Sequence, residues 1–218
     1  MTAKPGLMIH QTLIFDFDGT IADTLGETRR IFNRIAADYG IRQVEEHEMG
    51  ELRHLSLKQL LIRLDIPKRR VPALISRGTA LLRESIEQLK MIDGMPEVIV
   101  ELRRHVSRLG ILTSNAPSNV ELFLQAHGLR EPFDFISSTC KLTGKAKHLR
   151  AIRKTFSLRH GEMLYVGDEL RDVKASHKAG IPVAAVTWGF NSRESLAAEA
   201  PQYLIDRPAD FLSLLAPR

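Results

Sequence analysis

Six short apolar runs punctuate the chain, each bounded by polar or turn-forming residues. The first, Thr12-Leu13-Ile14-Phe15-Asp16-Phe17, runs into acids and Gly19. It is followed by Gly110-Ile111-Leu112-Thr113, Phe133-Asp134-Phe135-Ile136, Met163-Leu164-Tyr165-Val166, Pro182-Val183-Ala184-Ala185-Val186 and Tyr203-Leu204-Ile205. Runs this short and this apolar predict strands buried on both faces. Between them apolar residues recur at three- and four-residue steps, as in Val98, Leu102, Val106 and Leu109, or Val120, Leu122, Phe123 and Ala126, which predicts amphipathic helices. Strands alternating with helices predict an α/β fold: a Rossmann-like, doubly wound parallel sheet covered on both sides.

One stretch breaks the alternation. From Leu25 to about Met91 there are helical patterns and no strand signal. Ile31, Phe32, Ile35, Ala36 and Tyr39 mark a helix closed by Gly40, and Leu57, Leu60, Leu61 and Leu64 mark another, with Ser56 as N-cap and Pro67 beyond its end. Leu74, Leu81, Leu82, Ile86 and Leu89 predict a third helix or a pair, since Pro72 comes early and Gly78 falls inside. The expected organisation is a core built from residues 1–24 and 93–218, with an all-helical cap, 25–92, inserted after the first strand. Asp93-Gly94-Met95-Pro96 is the turn back to the sheet.

Composition narrows the class without choosing a function. The 218 residues are 44% hydrophobic and 26% charged, the balance of an ordinary globular protein, which excludes a disordered or collagen-like chain. The lone Cys140 can form no internal disulfide, which fits a cytoplasmic setting. No apolar run is long enough to span a bilayer, and the first ten residues lack the apolar stretch of a secretory signal, so no membrane partner is expected. The net charge of +5 is spread along the chain, with only short clusters such as Lys68-Arg69-Arg70 and Arg103-Arg104. These read as solvated helix faces, so no nucleic-acid partner is expected, while small anionic substrates stay open.

The chemistry-bearing residues fall at strand ends. Asp16 and Asp18 are two apart, and strand alternation sends both side chains to one face. Thr113 follows the second strand and Asp168 and Asp172 the fourth, while Lys145 opens the helix between the third and fourth. In an open α/β sheet the ligand crevice lies at the carboxyl ends of the strands, where all of these converge. Trp188 and Phe190 read as packing residues, with lining of the site entrance by their loop as the alternative, and His54, His105, His127, His148 and His160 lack metal-ligand spacing. Lys141 and Lys147 are alternatives to Lys145.

These segments resemble the motifs of the haloacid dehalogenase superfamily in its phosphatase form. Asp16-Phe17-Asp18-Gly19-Thr20-Ile21-Ala22-Asp23-Thr24 is similar to the first motif, Leu112-Thr113-Ser114-Asn115 to the second, Gly144-Lys145-Ala146 to the third, and Gly167-Asp168-Glu169-Leu170-Arg171-Asp172 to the fourth. The helical insertion is similar to the small cap of the phosphoglycolate phosphatase-like branch. The resemblance implies a Mg²⁺-dependent hydrolase of a small phosphorylated metabolite. Asp16 is then the nucleophile and Asp18 the acid and base. Thr113, Ser114, Asn115 and Lys145 hold the phosphoryl group. Asp16, the backbone carbonyl of Asp18, Asp168 and Asp172 hold the metal. Within the cap, Arg53 and Lys58 are candidates for substrate selection. A phosphomutase of the β-phosphoglucomutase type, or a non-catalytic binding protein on the same fold, is the alternative.

A charge count supports the metal. Four carboxylates against Lys145 leave the site at about −3, and a phosphate dianion is repelled by it. One Mg²⁺ and a protonated Asp18 bring it to about zero, while Glu169 and Arg171 cancel one another.

Overall fold

The computed structural model describes residues 10–139 and 144–215. Cys140 and Lys141 lie outside the described residues. Six strands, β1 (Thr12–Phe15), β2 (Arg108–Thr113), β3 (Phe135–Ser138), β4 (Met163–Gly167), β5 (Val183–Val186) and β6 (Tyr203–Ile205), form one parallel sheet in the order β3-β2-β1-β4-β5-β6. The doubly wound α/β fold expected from the apolar runs is therefore present. Strand order reverses between β1 and β4, and the carboxyl ends of these two strands flank the crevice this topology opens.

Alternation along the strands divides the core in two. Leu13, Phe15, Leu109, Ile111, Leu164, Val166, Ala184 and Val186 pack on one side. They meet α5 (Met95–His105), α6 (Pro117–Ala126) and Phe211 of a 3₁₀ turn near the end of the described chain. Ile14, Leu112, Met163, Tyr165, Val183 and Ala185 face the other way, toward α7 (Lys145–Thr155), α8 (Leu170–Ala179) and α9 (Arg193–Ala198). Each central strand is therefore apolar throughout, as a sheet covered on both faces requires.

The helical segment after β1 holds α1 (Leu25–Tyr39), α2 (Met49–Leu52), α3 (Leu57–Arg63) and α4 (Val71–Ser85). Gly40 closes α1 in the left-handed conformation, and the Ser56 hydroxyl caps α3 by accepting from Gln59 N. Ala36, Ile41, Val44, Leu64 and Ile66 form a small apolar cluster of this segment's own. Ile31, Ile35, Leu82 and Ile86, by contrast, join the main core, so α1 and α4 root the segment in the sheet domain.

Some boundaries differ from those read in sequence. α4 runs unbroken through Pro72, which occupies its first turn where no N–H is needed, and through Gly78, which packs against Ile31 and Ile35 of α1. Leu109, grouped with a helix by its spacing, belongs to β2, because α5 ends at His105 and the chain is extended from Val106. The third strand begins at Phe135, two residues later than its apolar run.

Candidate active site

Asp16 directly follows β1, and its amide donates to Val166 O at 2.7 Å, carrying the strand pairing one residue past the sheet. The chain then turns. The amides of Thr20, Ile21 and Ala22 all donate to Phe17 O, and Gly19 takes φ +72°, a conformation that disfavours any residue with a Cβ. Phe17 points away into the core and packs edge-on against Phe123. That leaves Asp16 and Asp18 directed to the crevice.

The two acids have different partners. Buried Asp16 is bound by the ammonium of Lys145, which also donates to Asp172 Oδ1 at 2.6 Å. Burial pushes the Asp16 pKa up to about 7, against the opposing pull of Lys145. Burial also works against the Lys145 charge, but Asp16 and Asp172 together outweigh it, and the lysine pKa is raised. Asp18 has no lysine. Its carboxyl accepts from Asn115 Nδ2 at 3.0 and 3.2 Å, and desolvation lifts its pKa to about 6 despite those bonds. Burial thus raises both acids, and what separates them is their partners: Asp16 is bound by a cation, while Asp18 accepts from a neutral amide and faces the cavity.

Asp168, at the end of β4, is fully buried and pinned from two sides. Thr20 Oγ1 donates to its Oδ1 at 2.7 Å and the amide of Phe190 to its Oδ2 at 2.7 Å. Thr20 thus reaches across the crevice from the turn after β1. A Cβ added at Gly19 or Gly189 would collide with the Asp168 carboxylate, so bare backbone closes in on it from both sides. Desolvation raises the Asp168 pKa well above the usual range, with Glu169, Asp16 and Asp172 adding to the shift. Carboxylate oxygens of Asp16, Asp168 and Asp172 lie within 4.8 Å of one another. Three buried acids with one lysine are an incomplete charge balance, and hard oxygen donors this close suit a small divalent cation. The donor set fits Mg²⁺.

Thr113 is fully buried at the end of β2, and its Oγ accepts from the Asn115 amide at 3.0 Å, which leaves the hydroxyl proton to donate. Asn115 is itself fixed: Asn119 Nδ2 donates to its Oδ1 at 3.0 Å and Ser138 Oγ to its carbonyl at 2.7 Å. The amides of Asn115 and Ala116 are engaged by Thr113 Oγ and by Asn115 Oδ1. Ser114 Oγ lies 3.4 Å from Arg171 Nη2. Lys147 is exposed on α7, whereas Lys145 is buried.

Above the acids, between α1, α3, α4 and the crevice, lies a cavity of about 390 Å³. Asp18, Ser114, Asn115, Glu169 and Arg171 form its polar floor, and residues such as Ile31, Phe32, Leu52 and Leu60 its apolar walls. Arg53 lines it and donates from Nη2 to Thr187 O at 2.9 Å, and Lys58 is exposed on α3 and not part of the lining. Phe190 lines the cavity, while Trp188 donates from Nε1 to Thr20 O at 3.2 Å. Asn191, absent from the sequence-based candidates, ties three segments together. Its Oδ1 accepts from Leu170 N at the start of α8, and its Nδ2 donates to Arg53 O and Leu55 O at 2.9 and 3.0 Å.

Comparison with known proteins agrees with this geometry. The family model for haloacid dehalogenase-like hydrolases matches residues 13–186, and the chain belongs to that family. It is 35% identical over 202 residues to a phosphoglycolate phosphatase from Synechococcus elongatus, covering 93% of this chain and 95% of that one. It is 26% identical over 209 residues to the pyrophosphatase PpaX of Bacillus cereus, covering 94% and 96%. Among solved structures, a haloacid dehalogenase-like hydrolase from Streptococcus pneumoniae superposes with a TM-score of 0.80 at 19% identity, over 95% of this chain and 99% of that one, a likeness of fold.

Proposed function

We propose that the protein is a Mg²⁺-dependent phosphatase that hydrolyses a small phosphomonoester of the phosphoglycolate type through an aspartyl-phosphate. The observation that carries this reading is the division of labour between two acids two residues apart: Asp16 on Lys145, and Asp18 on a neutral amide at the floor of the cavity. Asp16 attacks phosphorus, the ester P–O bond breaks, and the leaving oxygen takes the proton of Asp18. The Asp18 carboxylate then accepts a proton from water as that water attacks phosphorus. The aspartyl P–O bond breaks, which frees inorganic phosphate and Asp16. Thr113 donates its hydroxyl to a phosphoryl oxygen, and Lys145, within reach of Asp16, offers a fixed positive charge beside it. Asp16, Asp168 and Asp172, with the Asp18 carbonyl, would hold Mg²⁺, which supplies charge neutralisation for the phosphoryl oxygens when bound. The Synechococcus and Bacillus relatives, named for phosphoglycolate and pyrophosphate, support a small phosphorylated substrate.

Phosphate release from an aryl phosphate tests the reading. Activity is expected to vanish in chelator, return with Mg²⁺ and return poorly with Ca²⁺, whose longer and looser bonds misplace Asp16. Full turnover in metal-free protein refutes it.

A further inference from the structure

Among the described residues, the buried side-chain atoms without a hydrogen-bond partner are Thr12 Oγ1, Thr24 Oγ1, His105 Nδ1, Arg53 Nε, and both Nε and Nη1 of Arg171. A buried donor with nothing to donate to is costly, and more so on a cation. Half of these atoms belong to two arginines that line one cavity, the one floored by Asp18. Arg53 is committed to Thr187 O through Nη2. Arg29, also in the lining, spends its guanidinium on Val44 O and Glu46. Arg171 is the cation of this cavity with two nitrogens unclaimed.

The local chemistry says how it is held. Glu169 is anchored through its backbone at the start of α8: its amide donates to Asp172 Oδ2 at 3.1 Å and its carbonyl accepts from the Asp172 amide at 2.9 Å. Arg171 Nη2 pairs with the Glu169 carboxylate and reaches to 3.4 Å from Ser114 Oγ. One nitrogen of the fork is therefore occupied, and a guanidinium has donors on the other two. Lys145, a divalent cation and protonated Asp18 bring the metal-binding acids to about zero without Arg171, so its two unclaimed cavity-lining nitrogens are not needed to neutralise those acids. Because Asp18 protonates the leaving oxygen, the alcohol half of the ester extends from Asp18 into this cavity. The apolar walls strengthen any ion pair formed there.

Resting on the phosphatase reading above, we infer that Arg171 recognises a second anionic group, carboxylate or phosphoryl, on the alcohol half of the substrate. Nε and Nη1 take that group while Nη2 stays on Glu169. Ser114, beside Thr113, is within reach of the same guanidinium, so the second anion lies only a few bonds from the ester oxygen.

The test compares kcat/KM for phosphoglycolate, pyrophosphate and ethyl phosphate, which carry a carboxylate, a second phosphoryl group and no second anion. In Arg171→Gln the ratio of at least one anionic probe to ethyl phosphate is expected to fall about 10- to 100-fold, mainly through KM. The probe whose ratio falls identifies the group. Arg171→Lys, which keeps the charge but loses the fork, is expected to lower the same ratio several-fold, and it decides the matter if Arg171→Gln does not fold. Equal losses on all three probes, or an unchanged ratio in both variants, overturn the inference. If the wild-type protein turns over none of the three, the phosphatase reading fails instead. Calorimetric titration then judges Arg171 by itself: equal loss of affinity for phosphoglycolate and ethyl phosphate in the variants overturns it, and selective loss for phosphoglycolate upholds it.

Discussion

Asp16 and Asp18 differ in environment more than in position, and that difference is measurable. Asp16→Asn is expected to abolish turnover with every leaving group, because nothing else replaces the attacking oxygen. Asp18→Asn is expected to transfer the phosphoryl group of an ester whose leaving phenol needs no proton, then stall for want of a base. Rapid mixing should show a burst of about one equivalent of phenol per enzyme, and a burst in Asp16→Asn instead would reverse the roles. The raised pKa of Asp18 also has a thermodynamic consequence. A carboxyl whose folded pKa is raised favours the native state below about pH 4 and loses that advantage as pH climbs through about 6. In chelator, Asp18→Asn is therefore expected to be more stable than the parent by about 2–3 kcal/mol above pH 6 and no different below pH 4. Denaturant melts at the two pH values read this directly, and a less stable variant at neutral pH refutes it.

At the scale of elements, the site is where the turns after β1, β4 and β5 close on one carboxylate. Asp168 is bonded by Thr20 from the first turn and by Phe190 from the third, and Gly189 leaves no room for it to move. Gly189→Ala is expected to displace Asp168 and raise the Mg²⁺ concentration for half-maximal activity about 10- to 100-fold. A Mg²⁺ titration checks this, and an unshifted midpoint would show the carboxylate to be less confined than the structure indicates. The acids, Thr113 and Lys145 were legible in sequence because each stands directly at the end of a strand or start of a helix that its neighbours announce. Asn191, Phe190 and Asn119 were not, since their partners lie more than twenty residues away or act through backbone atoms that carry no sequence signal. The sheet was legible because its strands are continuous apolar runs. The misassigned Leu109 shows the limit: three- and four-residue spacing persists across a helix end when a buried strand begins three residues later. The four-residue α2 has too few positions to show a period at all.

At the scale of the whole molecule, the helical segment over the crevice is fastened to the sheet domain by polar contacts gathered around residues 53–55, where Asn191, Ser192 and Ser195 bond Arg53, His54 and Leu55. Arg53 holds Thr187 O, and its own carbonyl accepts from Ser192 N and Asn191 Nδ2. Arg53→Ala is expected to lower kcat/KM about tenfold for phosphoglycolate and much less for an aryl phosphate, since loosened closure costs most where the alcohol half must be gripped. Lys58→Ala, on an exposed face, is expected to change neither, and a loss there equal to that of Arg53 would contradict the cavity lining. No described helix is long and apolar enough to cross a membrane. The central place of β1 has a further consequence, in the order of synthesis. Its partners begin at Arg108 and Met163, so the strand that leads into Asp16 leaves the ribosome almost a hundred residues before the first of them and about a hundred and fifty before the second. At ~5–20 residues per second it waits many seconds unpaired. The helices of residues 25–85 emerge during that wait with only their own small apolar cluster to close on, while Ile31, Ile35, Leu82 and Ile86 still lack the core they join, and the nascent chain is expected to present helices and a strand with naked apolar faces, the form most exposed to chaperones and to misassociation.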